Sequence, residues 1–154
     1  MSGSVIGVIS DTHGLLRPEV LPVFKDVQMI LHAGDIGSPE VLEGLRTTAP
    51  VTAVRGNNDK GEWANAIAEF EVAKLGSVAI YMLHDVKELD PAVLAGFQVV
   101  VSGHSHRPSV DRRDGVLFLN PGSAGPRRFK LPISVARLTI RGSSIRAKLI
   151  ELTP

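Results

Sequence analysis

Five short runs rich in aliphatic and β-branched residues set what this chain can fold into: Val5 to Ser10, Met29 to His32, Val51 to Val54, Val78 to Leu83 and Phe97 to Ser102. Helix-start signals stand between them, which is the pattern of βα units built on a largely buried sheet. Pro18 falls where Pro is tolerated in a first helical turn. Ser38-Pro39 reads as an N-cap followed by Pro at the first helical position, and Asp90-Pro91 repeats that signal, with Gly96 as the helix stop. The last third changes character: Asp114-Gly115 and Arg141-Gly142 are hairpin-type turns, the latter between the alternating runs Ser134 to Ile140 and Ser144 to Leu152. Strands first interleaved with helices and then meandering predict two sheets packed face to face with helices outside.

Composition narrows the chemistry. With 154 residues and 44% hydrophobic content, the chain reads as a single domain spanning 1–154. Lys+Arg at 17 against Asp+Glu at 16 leaves a net charge of +1, so there is no broad footprint for nucleic acid or an anionic membrane, and any attraction for phosphate has to be local. Cysteine is absent, which removes disulfides, thiolate metal sites and thiol nucleophiles. Metal ligands are then confined to His, Asp, Glu or Asn. Met1 to Ser4 runs into the first strand without a basic segment, and no apolar run approaches the ~20 residues of a membrane span, so a cytoplasmic location is expected.

Each strand is followed by side chains that can hold a metal: Ser10-Asp11-Thr12-His13-Gly14, Gly34-Asp35-Ile36-Gly37, Gly56-Asn57-Asn58-Asp59, His84-Asp85 and Gly103-His104-Ser105-His106. In open α/β sheets the ends of neighbouring strands converge on one crevice, so residues about a hundred positions apart can meet around an ion. Imidazoles, carboxylates and amide oxygens together exclude the all-oxygen cages of Ca²⁺ and the thiolate sites of structural Zn²⁺, and suit Mn²⁺, Fe²⁺ or Zn²⁺. The ligands are too many for one ion with an open position, and two ions sharing a carboxylate use them all. Each piece alone has an ordinary reading. Asp11-Thr12-His13 and Gly34-Asp35 are common turn chemistry, His84 alone is a hydrogen-bonded histidine, and His32, inside a buried strand, is structural. The joint event outweighs these readings, because four of the 5 histidines fall at strand ends beside Asp and Asn.

Asp11-x-His13, Gly34-Asp35, Gly56-Asn57, His84 and Gly103-His104-x-His106 resemble the five ordered motifs of the calcineurin-like metallophosphoesterases, in the spacing of their small phosphodiesterase branch. The resemblance implies a four-layer α/β/β/α sandwich of two mixed sheets flanked by helices. It implies that Asp11, His13, Asp35 and His106 hold one ion and Asp35, Asn57, His84 and His104 the other, with Asp35 as the bridge. The expected cofactor is a pair of divalent ions, Mn first, with Fe, Zn or Ni as alternatives. The expected reaction is hydrolysis of small phosphodiesters with good leaving groups by a bridging hydroxide.

Two positions depart from the family. Asn58 stands where most members carry a His thought to assist the leaving group, and Asp85 stands where Gly is usual. Asn120-Pro121-Gly122-Ser123 also resembles a recurrent segment near the site, although a plain turn explains Pro-Gly equally well. Arg127 and Arg128 are candidate phosphate clamps, with solvated surface cations as the plain alternative. The rival functions are a non-catalytic scaffold, as in the retromer-type subunit of this fold, and a metal-dependent nuclease. Near-neutral charge and a single Tyr and Trp disfavour nucleic acid. Oligomeric state is left open.

Overall fold

The computed structural model describes residues 3–128 and 130–153; the Met1-Ser2 start of the lead-in lies outside them. The described residues form two five-stranded mixed sheets. The first is ordered β10-β9-β1-β2-β3, with β1 (Ser4–Ile9), β2 (Met29–His32), β3 (Val51–Ala53), β9 (Ser134–Arg141) and β10 (Ser144–Glu151). The second is ordered β4-β5-β6-β8-β7, with β4 (Phe70–Leu75), β5 (Val78–Leu83), β6 (Val99–Val101), β7 (Ser109–Arg113) and β8 (Val116–Asn120). Strands β1, β2 and β3 run parallel in one sheet, with β3 at its edge and the antiparallel pair β9-β10 on the other side, while β5, β6 and β8 run parallel inside the second sheet between antiparallel edge strands.

Period-2 alternation places each strand residue in a layer. Ile6 and Val8 of β1, Leu31 of β2, Ile80 and Met82 of β5, Val99 and Val101 of β6, and Leu117 and Leu119 of β8 fill one core between the sheets. Their neighbours Ile9, Ile30 and Val135 point the other way, against Val20 and Phe24 around α1 (Val20–Val23) and Val41, Leu42 and Leu45 of α2 (Pro39–Arg46). On the far face of the second sheet, Leu83, Val100 and Val116 are covered by Leu89 and Leu94, which belong to two short 3₁₀ segments and their flanks. The expected sandwich of two mixed sheets with helical cover is thus present, with a thin fourth layer.

Three local readings need correction. Asp90-Pro91 opens a 3₁₀ turn (Pro91–Leu94) rather than an α-helix, with the Asp90 side chain accepting from the Ala92 amide at 3.0 Å. Pro18 precedes α1, whose N-cap is Glu19, and so lies outside the helix. The last of the five strands contracts to Val99–Val101, because the Phe97 amide still closes the turn from Leu94 at 3.1 Å. Ser38-Pro39 does open α2, and Gly96, Asp114-Gly115 and Gly142 take the positive φ their turns require.

Candidate metal centre

The loops that follow β1, β2, β3, β5 and β6 gather at one end of the two sheets. Backbone bonds fasten the first two together: Asp11 N donates to Gly34 O, His13 N to Asp35 O and Gly14 N to Ile36 O. Close approach elsewhere depends on glycine. A Cβ on Gly56 would land on the Asp35 amide and Oδ1, and one on Gly103 would land on Ser10 Oγ and Asp11 Oδ2.

Each carboxylate has one oxygen tied down and one turned toward the histidines. Asp11 Oδ2 accepts from Ser10 Oγ at 2.7 Å and from the His104 amide at 3.0 Å. Asp11 Oδ1 faces His106 Nε2 at 3.4 Å, His13 Nε2 at 3.9 Å and His84 Nε2 at 3.9 Å. Asp35 Oδ1 accepts from the Asn58 amide at 2.9 Å. Asp35 Oδ2 faces His84 Nε2 at 3.2 Å and His13 Nε2 at 3.8 Å, and accepts from Asn58 Nδ2 at 3.1 Å.

Two ligand groups result, Asp11-His13-His106 and Asp35-His84-His104, each with its candidate donor atoms within 4.8 Å of one another. Asp35 Oδ2 and Asp11 Oδ1 each reach histidines of both groups. Asn57 is exposed and lines the same crevice as His84 and His104, a cavity of about 240 Å³ that also includes Arg55, Phe70 and Asp85. Six of the seven proposed ligands therefore come together as donor atoms, and the seventh borders the cavity they form.

Do these atoms suit an ion? Asp11 Oδ1 and His13 Nε2 are buried and have no hydrogen-bond partner among the described residues, as is true of His106 Nδ1. Buried polar atoms are ordinarily paired, and a cation between Asp11 Oδ1 and His13 Nε2 satisfies both at once. The backbone carries a second mark. Asp11, His13, Asp35, His104 and His106 all have positive φ, between 47° and 71°, and Asp114 in its hairpin is the one other non-glycine residue of this kind among those described. Left-handed backbone costs of order 1–3 kcal/mol per non-glycine residue and gathers at functional sites. Here it falls on five of the six residues of the two ligand groups.

Protonation follows from the packing. Burial raises the Asp35 carboxyl, yet the His84 hydrogen bond and those from Asn58 outweigh it and hold the group well below the ordinary carboxylate range. Burial likewise raises Asp11, and His106 and Ser10 bring it down. Burial pushes His84 down, but Asp35, the charge of Asp11 and the Ala33 carbonyl raise it above its usual value. Proton and ion then compete for His84 Nε2.

His32 is excluded from the centre by its own bonds. The Gly34 amide donates to its Nδ1 at 3.1 Å, and its Nε2 lies 3.0 Å from Thr12 Oγ1, whose proton goes to Ile36 O at 2.8 Å. Its Nε2 is therefore the proton bearer. Burial lowers its pKa to about 4 against the raising charges of Asp11 and Asp59.

The structure also gives roles that sequence reasoning left open or missed. Asn120 Nδ2 donates to Gly103 O at 3.0 Å and Ser105 Oγ at 3.1 Å, while Ser123 Oγ donates to Asp11 O at 3.0 Å. Asn120-Ser123 therefore braces the loops carrying Asp11 and His104. Asp59, not singled out by its place in Gly56-Asn57-Asn58-Asp59, is buried and accepts three amides: Ile36 at 3.1 Å, Gly37 at 2.9 Å and Gly56 at 2.9 Å. An Asp two residues beyond a Gly-Asn pair is the available signal. Arg127 lines a separate crevice with Arg17, Ile133, Glu151, Leu152 and Thr153, and none of the seven ligand residues borders it; Arg128 is exposed. Arg55, paired with Glu69 at 3.0 Å, lines the same cavity as His84 and His104.

Residues 5–143 match the family model of the calcineurin-like phosphoesterase superfamily domain. A probable metallophosphoesterase of Methanothermobacter thermautotrophicus is 37% identical over 159 residues, covering 96% of this chain and 92% of the relative. The structure of an archaeal phosphodiesterase superposes with a TM-score of 0.78 at 26% identity, over 95% of this chain and 99% of that one. Zinc-complexed Vps29 of Entamoeba histolytica does so with a TM-score of 0.71 at 26% identity, over 96% and 98%.

Proposed function

Because this chain belongs to the calcineurin-like phosphoesterase superfamily, we propose that it hydrolyses small phosphodiesters with good leaving groups at a pair of divalent ions, Mn²⁺ foremost. The observation that carries this reading is the double reach of Asp35 Oδ2, toward His84 at 3.2 Å in one ligand group and His13 at 3.8 Å in the other. Asp11, His13, Asp35 and His106 would hold one ion, and Asp35, Asn57, His84 and His104 the second. Such a pair supplies an activated water and neutralises charge on the phosphoryl oxygens.

The chain's own side chains do the rest. The crevice beside His84 and His104 is small, about 240 Å³, which suits a compact ester, and Arg55 and Phe70 on its wall offer a cation and an aromatic edge to the alcohol portion. Asn58 stands where a proton donor would serve the leaving group. Its side-chain amide is already given to Asp35 Oδ2, and an amide is no general acid. Leaving groups that depart without a proton are therefore preferred.

A non-catalytic binding module is the second reading, and the likeness to Vps29 is what favours it. The complete set of seven ligand-type residues supports the enzyme instead. Among the described residues no helix is long and apolar enough to cross a membrane.

The wild-type protein with Mn²⁺ is expected to cleave bis(p-nitrophenyl) phosphate and to cleave dialkyl phosphodiesters ~10²–10⁴-fold more slowly, the usual worth of a missing general acid. Asn58→His is expected to narrow that gap by about tenfold through proton donation from the imidazole. An unchanged or wider gap in the variant removes the leaving-group argument. Absence of Mn²⁺-dependent diester cleavage by the wild type removes the catalytic reading altogether.

A further inference from the structure

His104 has a neighbour at each ring nitrogen. Its Nδ1 lies 3.3 Å from His84 Nε2, and its Nε2 lies 3.8 Å from Asp85 Oδ2. The two rings meet edge to face, with centroids 5.1 Å apart. His84 Nδ1 sits 2.7 Å from the Ala33 carbonyl, so that nitrogen donates, and in the neutral ring Nε2 keeps the lone pair. For His104 to act as a ligand beside His84, its Nδ1 must also present a lone pair. Its single proton then sits on Nε2, the nitrogen that faces Asp85.

Asp85 is prepared to receive that proton's hydrogen bond. Its Oδ1 accepts from the Lys87 amide at 3.1 Å, which fixes the carboxylate at the head of the 3₁₀ turn Val86–Glu88 and leaves Oδ2 free toward His104. The Nε2 to Oδ2 separation of 3.8 Å is roughly 0.8 Å beyond a hydrogen bond, and His104, the most exposed of the four site histidines at 43% of its side-chain surface, has room to make the adjustment.

We propose that Asp85 is a positioning residue for the second ion: its carboxylate takes the His104 Nε2–H and fixes the ring in the tautomer whose Nδ1 faces His84. Carboxylate–histidine–metal arrangements of this kind hold ligand rings in place and typically account for 10–100-fold in metal affinity. This rests on the two-ion reading above. It assigns to Asp85 a task separate from capping its turn, since Ser can accept the Lys87 amide but cannot reach His104 with a charge.

Asp85→Ser is therefore the variant of choice, with Mn²⁺ binding followed by calorimetry and by the electron paramagnetic resonance of the coupled ion pair. The wild type is expected to bind two ions. The variant is expected to bind the first with affinity within about threefold of wild type and the second ~10–100-fold more weakly, with the coupled signal giving way to that of isolated Mn²⁺. The thermal midpoint of its metal-free form is expected to stay at the wild-type value, because the cap is kept. Two wild-type-like binding steps in the variant would overturn the proposal while leaving the two-ion reading intact. A lowered metal-free midpoint with both steps weakened alike would also overturn it, by making Asp85 a structural residue. If the wild type itself binds fewer than two ions, the two-ion reading fails and the proposal goes with it.

Discussion

Asp35→Asn is expected to lower Mn²⁺-dependent diester turnover by about 10³-fold or more, since loss of a mere outer-shell partner already costs ~10–100-fold and Asp35 serves both ligand groups. The substitution keeps the shape and leaves an oxygen for the Asn58 amide, now 2.9 Å away. It removes the charge that His84 and Asn58 stabilise far below the ordinary carboxylate range, and with it the oxygen that faces His84 and His13 together. Metal content should fall by at least one ion per chain, with the circular dichroism of the metal-free protein unchanged. Turnover within about tenfold of wild type would mean that Asp35 is no bridge, because a shared ligand is worth more than an outer-shell partner.

Asp59→Ala is expected to be the most destabilising substitution near the site, although Asp59 belongs to neither ligand group. Its carboxylate is the acceptor for the amides of Ile36, Gly37 and Gly56, so it ties the loop after β2 to the loop after β3. Truncation strands all three donors where the side chain was buried. At ~1–3 kcal/mol for each unsatisfied buried group, partly relieved by water entering the gap, the expected loss is about 3–5 kcal/mol. For a chain of this size that lowers the thermal midpoint by roughly 10–15 °C. Urea unfolding of the metal-free protein measures it directly. A loss below about 1 kcal/mol would show that water replaces the carboxylate without penalty, and that the two loops hold their places independently.

Much of this site is legible in the sequence because ligand chemistry and loop chemistry coincide there. Asp11, Asp35, Asn57 and His104 follow apolar runs and stand beside or near glycine, and converging strand ends bring them together whatever their separation along the chain. Conformation is less legible. Nothing in the identities of Asp11, His13, Asp35, His104 and His106 announces that all five take a left-handed backbone; it goes with bonds between loops, from Asp11, His13 and Gly14 to the residues after β2 and from the His104 amide to Asp11 Oδ2. Asp59 was hidden for a related reason. It acts through backbone amides, which every residue possesses, so its partners leave no trace in the sequence. Strand β4 was equally obscure, and β7 was signalled only by the Asp114-Gly115 turn that ends it. They are the outer strands of the second sheet, and residues 109–113 are exposed throughout, so the apolar alternation that marks an interior strand is missing. Arg127 and Arg128 illustrate the converse, a charge pattern suggestive in sequence that the fold divides between a crevice with Glu151 and Leu152, which Arg127 lines, and the exposed surface, where Arg128 lies.

The account stands on two cations sharing Asp35, and crystals grown with Mn²⁺ and measured at the manganese absorption edge test that most directly. Two anomalous peaks ~3.5–4 Å apart are predicted, one among Asp11, His13, Asp35 and His106 and the other among Asp35, Asn57, His84 and His104. A single peak, or a pair of peaks to which Asp35 contributes no oxygen, would contradict it.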